Sequence, residues 1–227
     1  MTPLATPAFL RFAAACWAVS SLTTLGLIFL PYGFAPIADG ETARRLLDPL
    51  YMLRVWVALF HPLFVLIGAM GVFAVRAALA PGAAFTGLVF FLLWAATEAV
   101  QQSLTLVTLN WTWRTEYLQS TDAAARDLLG QYLQAFDGVS DGLFFFILVA
   151  FIVADVAYAM ATWGGDSLQR TIAVGFALAA GLGVVSALTS FGPGVFPDTL
   201  MAVLYPLFQP AARLLTGVWL WRLSAAA

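Results

Sequence analysis

Six apolar stretches, each about 20 residues or longer, constrain what this chain of 227 residues can fold into, because ~20 such residues cross a bilayer core as one helix. They run over 13–32, 55–78, 84–109, 139–162, 171–191 and 200–223. Pro81-Gly82 and Gly164-Gly165 are among the turn residues that separate them. The sequence therefore predicts a single all-α domain, a polytopic membrane helix bundle with six transmembrane helices.

The composition excludes an ordinary soluble domain. Hydrophobic residues make up 62% of the chain and charged residues 10%, whereas soluble domains carry ~25% charged residues. A net charge of −2 without a basic stripe gives no sign of nucleic-acid binding. The chain has no lysine, which excludes a Schiff base. Its single cysteine, Cys16, excludes an internal disulfide.

Two long connections carry amphipathic patterns. In 121–137 the apolar side chains recur on one helical face, Thr121 or Asp122 can cap the start, and Gly138 can end the helix. Residues 40–53 show a similar one-sided set of leucines. Both segments are predicted to be short interfacial helices that lie on the membrane or on the bundle.

The fifth apolar stretch carries small residues at four-residue spacing, which lets another backbone approach closely. These residues are Gly175, Ala179, Gly183 and Ala187. The stripe predicts packing either within the bundle or against a protein partner.

Arginine density indicates an orientation. One set of short connections and tails carries four arginines and a single acid: Arg11, Arg76, Arg170, Arg222 and Asp166. By the positive-inside rule this set is cytoplasmic. Both termini are then expected in the cytoplasm, with 35–53 and 112–138 outside. The arginine-only basic composition suggests a bacterial source, so a bacterial inner membrane is the expected location.

Ionisable residues inside the apolar stretches are candidate functional positions, because a charge at mid-helix costs ~2.5–3.5 kcal/mol even on insertion scales. Four such residues lie well inside the stretches: His61, Glu98, Asp155 and Arg213. Asp155 and Arg213 lie ~10 and ~13 Å from the same side of the membrane at 1.5 Å per residue. They are predicted to form a structural ion pair between the fourth and sixth helices.

A ligand site is predicted in the outer half of the bundle, between the second, third and fourth helices. Its proposed members are His61, Glu98, Gln101, Gln102, Asp137, Asp141 and Arg54. Glu98 shares a helical face with Gln101 and Gln102, which indicates a polar cavity. The equal alternative is a protonated glutamate bonded to a neighbouring helix.

The sequence assigns no catalytic residue, metal or cofactor. It contains neither a zincin nor a nucleophile-elbow motif. One histidine cannot supply two axial haem ligands or a three-histidine metal site. A mixed metal site using His61, Glu98 and Asp141 is the less favoured reading. The aromatic runs 90–94 and 144–146 suit a quinone, carotenoid or other lipophilic ligand, or simply membrane lipids.

Two stretches carry a resemblance: 136–146, FDGVSDGLFFF, and 206–221, PLFQPAARLLTGVWLW. With the helix spacing, they resemble a group of uncharacterised bacterial six-helix membrane proteins, a domain of unknown function. Members often have a histidine before the fourth helix, where this chain has Asp137. The resemblance implies a fold and no assigned activity.

Three functions remain open from the sequence. An outward-facing polar cavity that binds a small or lipophilic ligand is favoured, together with a subunit role in a larger membrane complex. A proton-coupled small-molecule transporter is the alternative, since acidic groups lie in three helices. An intramembrane lipid-modifying enzyme comes third, and catalysis is the less favoured expectation.

Overall fold

The computed structural model describes residues 5–31, 44–192 and 198–226, apart from some side chains at 45 and between 198 and 206. The described residues form six long helices and no strand. The helices are α1 (Pro7–Phe29), α2 (Pro49–Arg76), α3 (Pro81–Gln119), α4 (Ala123–Thr162), α5 (Ser167–Phe191) and α6 (Asp198–Ala226). A short 3₁₀ turn, Arg45–Leu47, precedes α2. The predicted all-α class is confirmed.

Five of these helices, α1 to α5, are long and apolar enough to cross a membrane. This agrees with the predicted membrane helix bundle. The sixth span stays a prediction.

Local sequence signals fix where the helices begin. Proline stands at the start of α1, α2 and α3, where its missing N–H is not needed. Asp122 caps α4 by accepting a hydrogen bond from the Ala124 amide at 3.0 Å, and Asp166 caps α5 through Gln169 at 2.8 Å. The predicted cap at the start of α4 is therefore Asp122.

The six helices form a closed ring. Each packs on its neighbours in sequence, and α6 returns to pack on α1. Trp17, Phe91, Tyr158 and Leu220 are among the buried side chains that fill the ring. Tyr158 lies against Gly87 of α3 and donates a hydrogen bond of 2.8 Å to the carbonyl of Ala69 in α2. This tyrosine therefore ties α2, α3 and α4 together.

The predicted interfacial helix that ends at Gly138 is wrong. Helix α4 runs unbroken for 40 residues through that glycine. The apolar face of the segment packs inward, since Leu133 and Phe136 cluster with Leu109 near the end of α3. Leu128 and Tyr132 on the same face stay exposed, so the packing covers only part of it. That partial cover is enough for the helix to continue without a turn at Gly138.

A separate amphipathic helix over 40–53 is not formed in its described part. Residues 40–43 lie outside the described ranges, as do 193 and 194 of the predicted turn before α6. Leu50 and Leu53 belong to α2, which begins at Pro49 under the cap of Asp48. The proline start and the cap favour extending the spanning helix.

Helix α3 also continues past its predicted end. Its segment Leu104–Arg114 is π-helical. The wider turn is supported by side chains that bond five residues back, from Asn110 to the Thr105 carbonyl and from Thr112 to the Val107 carbonyl. The π-helix is rare and mostly appears as single turns inside α-helices, frequently at functional sites.

The small-residue stripe of α5 packs within the chain in two places. A side chain added at Gly183 would overlap Ile152 of α4, and one at Gly175 would touch Ala212 of α6. Packing inside the bundle therefore accounts for both glycines. A protein partner on this stripe stays a prediction.

Candidate functional site

A buried polar network, here called the Arg213 cluster, joins α1, α2 and α6. It consists of Arg213, His61, Thr23 and Thr24, to which Glu98 and Asp155 are coupled by charge. Arg213 Nη1 lies 2.7 Å from Thr24 Oγ1 and 2.7 Å from His61 Nε2. His61 Nδ1 lies 2.7 Å from Thr23 Oγ1. The imidazole also meets Trp94 of α3 edge-on, with ring centroids 6.2 Å apart.

The network determines the tautomer of His61. A guanidinium only donates hydrogen bonds, so Nε2 must accept from Arg213 and carries no proton. The proton then lies on Nδ1 and is donated to Thr23 Oγ1. Thr23 in turn donates to the carbonyls of Val19 and Ser20, each at 3.1 Å. His61 is therefore a neutral imidazole, held in one orientation by Arg213 at Nε2 and by Thr23 at Nδ1.

Two carboxyl groups interact electrostatically with the guanidinium. Glu98 on α3 and Asp155 on α4 both lie within electrostatic range of Arg213. Asp155 is buried, and Glu98 is partly accessible. With His61 neutral, the cluster holds one positive charge against two carboxyls. Charge balance needs only one of them ionised, because an unpaired charge in lipid is costly.

A cavity beside the cluster is lined by residues of all six helices. Its polar lining consists of Trp17, Asp155, Gln209, Arg213 and Thr216, and the rest is mainly apolar, including Phe91, Phe151 and Phe176. It measures about 20 Å³, counted to the centres of water-sized molecules. One water needs ~10–15 Å³ on that measure, so the cavity has room for one or two.

Three polar atoms of this lining are buried and have no hydrogen-bond partner among the described residues. They are the indole Nε1 of Trp17, the amide Nε2 of Gln209 and the carboxyl Oδ2 of Asp155. Nearly all buried polar atoms in native proteins are hydrogen-bonded. Two donors and one acceptor that meet at one cavity therefore indicate a bound polar molecule.

The structure separates the seven predicted ligand-site residues. His61 and Glu98 lie on adjoining helices and both couple to Arg213, which the sequence had paired only with Asp155. The predicted Asp155–Arg213 pair stays a prediction. Both residues are buried, line the same cavity and interact electrostatically.

The other predicted site residues lie elsewhere. Gln101 is buried and donates to the carbonyl and hydroxyl of Ser140 at 2.8 and 3.0 Å, which joins α3 to α4. Arg54 donates from Nε to the Leu27 carbonyl at 3.2 Å, and Gln102 is half-buried. Asp137 and Asp141 are exposed on α4. None of the seven predicted ligand-site residues, His61 and Glu98 included, lines the cavity beside Arg213.

Several members of the site were missed by reading the sequence. Trp17, Thr23 and Thr24 all lie on α1, whose polar run Ser20-Ser21-Leu-Thr23-Thr24 is unusual for a spanning helix. That polar run was the sequence feature that could have indicated a buried polar site on α1. Ser21 also donates across to the carbonyl of Pro210 in α6 at 2.9 Å.

Comparisons with protein-family models, curated proteins and solved structures found no match. The function must therefore be inferred from the geometry of the Arg213 cluster and its cavity.

Proposed function

We propose that this chain is a six-span integral protein of a bacterial inner membrane, with both termini cytoplasmic, which binds a small polar ligand beside Arg213. The supporting observation is that three residues lining one cavity, Trp17, Gln209 and Asp155, each carry a buried polar atom with no hydrogen-bond partner among the described residues. Each unsatisfied buried polar group costs ~1–3 kcal/mol. A bound molecule that forms hydrogen bonds with all three groups offsets that cost.

The lining selects the chemistry of the ligand. Trp17 and Gln209 offer N–H donors and so require an acceptor, whereas Asp155 Oδ2 requires a donor when the carboxyl is ionised. The ligand is therefore a polar molecule that both donates and accepts. Drug-sized ligands occupy ~300–1,000 Å³, so a quinone or carotenoid does not fit this cavity of about 20 Å³ and would need another site.

The test is a structure of the purified protein at a resolution that shows ordered water, with mass spectrometry of the extracted small molecules. We expect a non-water molecule, no larger than the one or two waters for which the cavity has room, in contact with Gln209 and Asp155. Gln209→Leu should lose it, and the matched control Gln102→Leu, which changes an amide outside the cavity, should retain it. A cavity that holds only water in the wild type would contradict ligand binding.

That water-only outcome would favour a second candidate, a proton-coupled small-molecule transporter. One observation supports it directly: two carboxyls, Glu98 and Asp155, share the single guanidinium of Arg213. A cluster that needs one of two carboxyls ionised can hold one exchangeable proton, as proton relays in membranes do. Proteoliposomes loaded with a pH dye should acidify under an imposed membrane potential. Glu98→Gln and Asp155→Asn should abolish the flux, while the exposed Asp137→Asn should not.

A further inference from the structure

A second buried arginine lies far from the Arg213 cluster, at the end of the π-helical segment. Arg114 is only 4% exposed. Its Nη1 donates to the hydroxyl of Tyr51 and to Oδ1 of Asn110, each at 2.8 Å, and its guanidinium stands 5.5 Å from the centroid of the Tyr51 ring. Both hydrogen-bond acceptors are neutral. They fix the orientation of the guanidinium without balancing its charge.

One edge of this guanidinium is unused. The Nε of Arg114 is buried and has no hydrogen-bond partner among the described residues. Both hydrogen bonds of the guanidinium to described residues come from Nη1, not from Nη2 on the Nε edge. An Nε–Nη2 edge presents two parallel N–H groups, which match two oxygens of a phosphate or carboxylate. A guanidinium that is held in one orientation, and whose Nε–Nη2 edge has no hydrogen-bond partner, has the geometry of an anion site.

The position of Arg114 relative to the membrane indicates that the anion is a phosphate. Tyr51 lies 25 residues before the end of α2 at Arg76, or ~37 Å at 1.5 Å per residue, whereas the hydrocarbon core is ~30 Å thick. The same end of the bundle carries Trp56 and Trp111, whose rings lie 6.1 Å apart. Aromatic belts of this kind lie at the lipid headgroups. The anions concentrated there are phosphates.

Two acids lie close by and oppose an anion. Asp137 is within electrostatic range of both Arg114 and Asp141, and both carboxyls are on the exposed surface of α4. Neither is hydrogen-bonded to the open edge of Arg114. Asp137 therefore supplies negative charge near the site without occupying it.

We propose that the Nε–Nη2 edge of Arg114 binds a phosphate group, from either a phospholipid headgroup or free phosphate. The site is independent of the proposed function, because it shares no residue with the Arg213 cluster. Tyr51 and Asn110 are positioning residues that hold the guanidinium, and Arg114 makes the contact.

The experiment is a titration of the detergent-purified full chain with dioleoylphosphatidylglycerol, followed by native mass spectrometry. Arg114→Gln should weaken lipid binding about tenfold or more, and Arg114→Lys nearly as much, because an ammonium lacks the paired N–H edge. The control is Arg126→Gln, which removes an exposed arginine that stacks on Tyr117. Asp137→Asn should tighten binding severalfold, since it removes a competing charge.

The outcomes separate the sources of phosphate. Displacement of the lipid by millimolar inorganic phosphate would assign a free-phosphate site, and resistance to it would assign a headgroup site. Equal losses in Arg114→Gln and Arg126→Gln would overturn the proposal, because binding would then depend on surface charge alone. If Arg114→Gln fails to fold, Asp137→Asn decides: binding no tighter than wild type also overturns it.

Discussion

Arg213 Nη1 and His61 Nε2 meet in a hydrogen bond of 2.7 Å between α6 and α2. This contact joins two residues that the sequence had assigned to different roles, a structural ion pair and a ligand site. It makes Arg213 the centre of one buried network that also reaches Thr24, Glu98 and Asp155.

The first prediction concerns the tautomer of His61. Because this is the only histidine of the chain, selective ¹⁵N-histidine labelling gives a single imidazole spectrum. We expect a neutral ring with the proton on Nδ1, held by Thr23. Arg213→Gln should release that constraint and mix the tautomers, because an amide can either donate or accept at Nε2, whereas Thr23→Val should leave the proton on Nδ1. A wild-type spectrum with the proton on Nε2 would contradict the bond from Arg213.

The second prediction concerns Asp155 and Arg213. Removing one partner of a buried pair costs ~3–5 kcal/mol, because the other charge is left uncompensated. Asp155→Asn and Arg213→Gln should each lower the unfolding midpoint in detergent, and the arginine change should cost more since it also removes the bonds to Thr24 and His61. The double mutant should recover part of the loss. Strictly additive losses would mean that the two residues stabilise the fold separately.

The third prediction separates function from stability at Glu98. Glu98 is half-buried as a residue and makes no hydrogen bond to the described residues. Glu98→Gln and Glu98→Leu should therefore change the free energy of unfolding by less than ~1 kcal/mol. Both should abolish ligand retention or proton flux, whereas the exposed control Glu116→Gln should not. A large loss of stability in Glu98→Gln would indicate a structural role.

The fourth prediction tests the packing of Tyr158. A methyl group at Gly87 would overlap the Tyr158 ring, so Gly87→Ala should destabilise the bundle by ~1–3 kcal/mol. The matched control on the same helix is Gly82→Ala, where the added carbon meets open space. That change should be neutral or stabilise by up to ~1 kcal/mol. Equal unfolding midpoints for the two variants would contradict the packing.

The fifth prediction concerns orientation. Thr121 and Ser167 are both exposed and lie at opposite ends of α4. Single cysteines at these positions, in a Cys16→Ser background, should label oppositely with an impermeant thiol reagent in intact cells. Thr121→Cys should react and Ser167→Cys should not. The reverse pattern would invert the topology, and labelling of both would contradict the number of spans.

Errors in the predicted fold lie where local signals compete with packing. Gly138 looked like a helix end, yet α4 continues through it because Leu133 and Phe136 are covered by α3. The extension of α3 into a π-helical segment was equally invisible, since the buried bonds of Asn110 and Arg114 to Tyr51 bridge two helices. Periodicity in one segment carries no information about which neighbour covers its apolar face.

The sequence by itself determined the helical class and predicted six long apolar segments, of which five are borne out. It also narrowed the start of α4 to Thr121 or Asp122, because apolar length and capping are properties of a continuous segment. It also identified His61, Glu98, Asp155 and Arg213 as ionisable groups whose placement within the membrane costs free energy. Only the tertiary structure decided their partners and added Trp17 and Gln209 to the cavity. Those contacts depend on how each helix is rotated about its axis and which helices adjoin, and both follow from packing across the whole ring.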